Sequence, residues 1–152
     1  MKKTVLAVLI AMTAIPAFAD VTAQLAELQK LVPAGTRDGK VSEVNPKYPN
    51  SVPKGADCTI TATYSKGAAN IVISGRDAFG GPLDYSALTQ PSDSSLVIDV
   101  GSNAAGDTVF TIRSHASWTD EDGRHSGTST QVVSVGQDRS VDVSNTFACR
   151  PK

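Results

Sequence analysis

Cys58 and Cys149 are the only cysteines in the chain, and each stands where apolar side chains recur at every second residue. In CTITATY, Cys58 shares parity with Ile60, Ala62 and Tyr64, while Thr59, Thr61 and Thr63 fall on the other face. In the stretch from Ser140 to Cys149, the second thiol shares parity with Val141, Val143 and Phe147. Both thiols therefore point into one interior. The pattern predicts a disulfide between the first and last strands of a β region, and the absence of C-x-x-C spacing argues against a redox or metal pair. Closing a loop of about 90 residues removes chain entropy on the order of 4–5 kcal/mol, a large share of a small domain's stability.

A disulfide needs an oxidising compartment, and residues 1–19 read as the means of reaching one. Lys2 and Lys3 give a basic start, Val5 to Ile15 an apolar run, and Ala17-Phe18-Ala19 a small-x-small cleavage site before Asp20. The apolar run is shorter than the roughly 20 residues a spanning helix requires. The Lys-Lys start and Ala-Phe-Ala end resemble the leaders of Gram-negative exported proteins, which implies a periplasmic or secreted chain with no transmembrane segment after cleavage. Loss of the leader removes two lysines and no acid, leaving 12 basic against 15 acidic side chains, a formal charge of −3. That balance, with only seven aromatic residues remaining, gives no basic or stacking surface for nucleic acid.

Between leader and β region the period is helical. Val21, Leu25, Leu28, Leu31 and Val32 recur on one face of residues 20–32, and Pro33 and Gly35 stop the helix. So short a helix is marginal alone in water and needs a surface to lie against. That surface is either the domain's own sheet or a partner, so Leu25, Leu28 and Leu31 are candidate partner-binding residues. Residues 33–57 carry four prolines and three glycines and are expected to form a linker or wrapping loop, with Lys40 to Val44 able to add one short edge strand.

Residues 58–152 are expected to form the β domain. Strands are predicted at 58–64, 70–74, 96–100, 107–118, 124–135 and 140–149, separated by SKGAAN, GSNAAG, DEDG and GQDR. Leu96, Ile98 and Val100, then Phe110, Ile112 and Trp118, supply further apolar faces. The stretch from Gly75 to Gln90 is ambiguous between a crossover strand and a surface loop. The predicted fold is mainly β, an antiparallel two-layer β-sandwich, immunoglobulin-like in the broad sense, with one short N-terminal α-helix and one disulfide.

Tests for chemistry return structural answers. His115 and His125 flank the acidic TDEDG turn, but an even-numbered turn puts them on opposite faces. An odd one leaves them roughly 13 Å apart, too far to share a metal. Aligning Gly123 with the glycine of a calcium loop puts Trp118 and Ser129 where carboxylates are needed. There is no G-x-S-x-G, no H-E-x-x-H and no phosphate-cradle context around Gly80-Gly81. The acid pairs Asp77/Asp84 and Asp120/Asp122 lack the aromatic surroundings of a sugar cleft. No catalytic residue, metal or cofactor is expected. The expectation is a non-enzymatic binding module of the cell envelope acting on a protein partner as inhibitor or accessory factor. The alternative is a structural or assembly subunit of pilus or adhesin type. The turns at Phe79 to Leu83 and Trp118 to Arg124 combine apolar groups with exposed positions, making Phe79, Trp118, Asp120 and Asp122 the candidate contact residues on the β domain.

Overall fold

The computed structural model describes residues 21–48, 52–89 and 95–152. The expected leader and cleavage site lie outside the described residues. One helix, α1 (Val21–Leu31), precedes nine strands: β1 (Gly35–Val44), β2 (Asp57–Ser65), β3 (Ala68–Arg76), β4 (Pro82–Leu88), β5 (Val97–Ser102), β6 (Thr108–Asp120), β7 (Gly123–Val135), β8 (Val141–Val143) and β9 (Phe147–Pro151). All pair antiparallel in one continuous sheet ordered β4-β3-β2-β1-β9-β8-β7-β6-β5. The chain is thus mainly β and antiparallel, with one short helix and one disulfide between Cys58 and Cys149.

The sheet folds back on itself about β1. In a flat sheet, strands two apart are separated by roughly 9.6 Å, yet the Cα atoms of Cys58 on β2 and Cys149 on β9 are 6.0 Å apart across β1. Beyond this bend β3 packs against β8, and β4 against β7 and β8. Tyr85 of β4 meets Phe147 of β9 edge to face, with ring centroids 6.0 Å apart. A register shift between Val41 and Glu43 inserts an extra residue into β1, which is how a strand gains local bend and twist. Ile60, Ile71, Ile73, Ile98, Phe110 and Phe147 fill the space so enclosed. The outward parity of Thr59, Thr61 and Thr63 leaves them partly or fully exposed.

Three sequence expectations need correction. Residues 35–44 were expected as linker with at most an edge strand, and instead form the ten-residue spine of the sheet. Its Arg, Asp, Lys and two Gly residues hide it from a propensity reading, but Gly39 is required where it stands. A Cβ there would lie 2.9 Å from Cys149 Sγ and closer still to the Arg150 carbonyl oxygen, so only a glycine lets the disulfide cross. The disulfide therefore clamps the middle of the sheet instead of joining its ends. The run 140–149 is two strands: Ser144 and Asn145 both take positive φ, at 62° and 54°, and turn β8 into β9. Parity survives the turn because Val141 pairs with Cys149, so both stay inside. The ambiguous stretch after Gly75 contributes a strand, β4, with Ala87 buried and Leu88 exposed.

The helix belongs to the core. Leu28 and Val32 are fully buried, Leu25 nearly so, and Leu31 packs against the cluster from a partly buried position. Val52, from the connection between β1 and β2, fills the space over Gly75, where a Cβ would meet its methyl at 2.7 Å. The Tyr64 hydroxyl donates to the Val32 carbonyl oxygen at 2.6 Å, tying the end of α1 to the end of β2.

Two outcomes follow from this packing. Gly39→Ala is expected to cost about 1–3 kcal/mol by overpacking, read as a lower urea midpoint in the oxidised protein, whereas alanine at the unobstructed Gly101 is expected to cost less than half of that. Removal of residues 21–32 is expected to abolish the cooperative thermal transition, since it empties the space of Leu28 and Val32; an intact transition would make the helix an accessory.

Candidate functional site

The β6–β7 hairpin is far longer than its neighbours. Its thirteen-residue strands pair along their whole length. Only Thr108–Arg113 of β6 pairs with β5, and only Val133–Val135 of β7 pairs with β8. The remainder runs on as a two-stranded ribbon carrying SHASWTD and GRHSGTS, rich in small polar residues that need no covering layer. A two-residue turn, Glu121-Asp122, closes it between paired Asp120 and Gly123, the latter at φ 120°.

That turn settles the histidines. His115 pairs with Thr128 and His125 with Trp118, so they lie on opposite faces, as the even-turn case requires. His125 stacks on the Trp118 indole, with centroids 5.6 Å apart and planes 18° from parallel, and its Nε2 lies 2.8 Å from Asp120 Oδ1. The same carboxylate oxygen accepts from the Asp122 backbone N–H at 2.9 Å. Trp118 also lies over Gly127, within 3.5 Å of where a Cβ would stand, sheltering backbone that has no side chain of its own. Its other face stays in solvent, and the residue is 51% exposed. Expected on an apolar core face with Phe110 and Ile112, Trp118 leaves the core because, among the described residues, its hairpin has by then outrun the neighbouring β5 and β8.

The structure brings Trp118, Asp120 and Asp122 together at this tip. Phe79 sits on a separate turn and is 83% exposed. Asp77 Oδ1 accepts from the Phe79 and Gly81 backbone N–H groups at 2.9 and 2.7 Å, and Arg76 donates to the Gly80 carbonyl at 2.9 Å, so the exposed ring stands on an ordered loop. Of the two surfaces expected for the helix, the domain's own sheet is the one it lies against: Leu25 and Leu28 are buried, and Leu31 packs on the core while remaining partly exposed.

Sequence reasoning missed an acidic cleft of about 460 Å³ on the outer face, lined by Glu43 of β1, Asp107 just before β6, Asp138 of the β7–β8 turn and Asp142 of β8. Burial pushes the Asp142 carboxyl up to about 6, opposed by the Thr146 and Asn145 N–H groups and reinforced by Asp107 and Glu43. Thr146 N–H donates to Asp142 Oδ1 at 3.0 Å, so this carboxyl also holds the β8–β9 turn. Among the described residues, no three His, Cys, Asp or Glu side chains converge as a metal ion would require, and no helix is long and apolar enough to cross a membrane. Comparison with family models, with curated proteins and with solved structures finds no match to the chain.

A carboxyl whose folded pKa lies above its unfolded value near 3.8 holds its proton more tightly when folded. Its contribution to stability therefore grows as pH falls from about 6 toward 4 and is lost as pH rises through 6. Asp142→Asn, which retains an oxygen for the Thr146 N–H, is expected to raise the denaturation midpoint at pH 7 and flatten its slope between pH 4 and 6. An unaltered pH profile would remove Asp142 as the source.

Proposed function

We propose that the protein is a non-enzymatic binding module of the cell envelope that engages a protein partner through the β6–β7 arm, as an inhibitor or accessory factor. The single observation that carries this reading is the half-exposed Trp118 at the end of a ribbon that nothing in the fold requires to be so long. An exposed tryptophan, held in place by stacking on His125, is the kind of rigid anchor that dominates protein interfaces. Asp120 and Asp122 beside it give the tip a polar, negatively charged rim. The disulfide, with no spanning helix among the described residues, is compatible with a soluble exported protein.

Assembly through an N-terminal docking arm has less support. The segment that would have to reach a neighbour is committed to its own core, with Leu28 fully buried. The β4 edge is also partly occupied: the Gln131 amide accepts from Leu88 N–H at 2.9 Å and donates to Leu88 O at 3.0 Å, taking the place of a pairing strand.

A photo-crosslinking amino acid at position 118 in the exported protein is expected to yield one discrete adduct with a second protein, and the same group at exposed Lys54 none. Trp118→Ala is expected to weaken that complex by about 2 kcal/mol or more without moving the melting temperature. A ladder of self-adducts would favour the assembly subunit, and absence of any adduct at 118 would refute the arm as the contact.

A further inference from the structure

Arg37 is a charged residue on the inward face of β1. It stands opposite the fully buried Ile60 in the β1–β2 ladder and shares parity with Gly39 and Val41. Two of its nitrogens, Nε and Nη2, are buried and have no hydrogen-bond partner among the described residues. These two N–H groups form one edge of the guanidinium, and that edge is closed to water. A guanidinium so desolvated and without a counter-charge is costly, so the position favours an anion beside it.

The surroundings are suited to one. Arg37 lines a cleft of about 500 Å³ together with Lys30 and Pro33 from the end of α1, Thr108 of β6, and Gln137 and Arg139 of the β7–β8 turn. No Asp or Glu lines it, and none of its three cations forms an ion pair among the described residues. The nearby Tyr64 hydroxyl donates to Val32 O and makes no hydrogen bond to Arg37 Nε or Nη2; burial pushes its pKa up to about 12 against the pull of Arg37. Arg139, in the β7–β8 turn, has φ 65°, a conformation that favours glycine.

We propose that this cleft, between the end of α1, β1 and the β7–β8 turn, binds a phosphate-class oxyanion, with the Arg37 guanidinium, Lys30 and Arg139 as the cations around it. Three cations with no carboxylate among them match a dianion better than a single carboxylate. The site is separate from the β6–β7 tip, and stands or falls independently of the partner proposed there.

The test is titration of the full mature protein with inorganic phosphate at ionic strength held constant with chloride, followed by the Arg37 Nε–Hε resonance and by calorimetry. A saturable shift is expected, with sulfate competing. Arg37→Gln is expected to weaken binding about tenfold to a hundredfold, as loss of a charged hydrogen-bonded pair does, while Lys54→Gln leaves it unchanged. Should Arg37→Gln not fold, Arg139→Gly serves instead: relieved of strain, it is expected to melt higher without phosphate and to bind phosphate about tenfold more weakly. Glycerol phosphate distinguishes the sources: binding at least as tight as phosphate points to a phosphoryl group on a larger molecule, and exclusion of the ester to the free ion. A response that follows ionic strength alone, acetate binding as tightly as phosphate, or a wild-type affinity in both arginine variants would overturn the proposal.

Discussion

Everything in this fold is arranged around the crossing of one disulfide over one glycine. Cys58 and Cys149 approach from the strands on either side of β1, and Gly39 leaves the space in which their sulfurs meet. Without that clearance β2 and β9 would have to stand at ordinary next-neighbour spacing, and the sheet could not close so tightly over its own inner face. With it, one ladder supplies both walls of the core. The Tyr85–Phe147 contact and the burial of Ile60, Ile71 and Phe110 depend on that closure. The bridge restrains the unfolded chain, as any disulfide does; its position in the middle of the sheet also fixes where the native chain bends.

The consequences reach the surface. A body held from its centre leaves the length of its outer hairpin free, and β6 and β7 run well past the short β5 and β8. A two-stranded ribbon in water lacks a buried face, so its composition has to be polar and its turn tight. The Trp118–His125–Asp120 cluster gives it local order: a stacked pair, a carboxylate shared between the imidazole and a turn N–H, and an indole shielding Gly127. The same cluster is what a partner would meet.

Charge is segregated with similar economy. Gly136 and Gln137 line both the acidic cleft of Glu43, Asp107, Asp138 and Asp142 and the basic cleft of Lys30, Arg37 and Arg139. Two surfaces of opposite sign therefore adjoin at one turn, although the chain's formal charge is only −1. Composition averages such opposing fields away, which is why net charge excludes classes of partner and says little about local sites.

The strand faces, the helix and the disulfide are legible in the residues alone, because each is written in short-range periodicity or in an arithmetic of two cysteines. Ile60, Phe110, Val141 and Cys149 point inward in the fold as their parity requires. The opposition of His115 and His125 was legible only as one of two cases, even turn or odd, and the fold chose between them. What the tertiary structure decided is everything that depends on which strand lies beside which. The strand at Gly35–Val44 is β-poor in composition and exists because β2 and β9 flank it. Trp118 is solvent-facing because, among the described residues, β5 and β8 stop short of its level and β7 alone runs beside it. Arg37, Arg139 and Lys30 are more than a hundred residues apart at their extremes and meet only through the fold. Periodicity records which side of a strand a residue occupies; it carries no record of what stands opposite, and that juxtaposition is where sites are made.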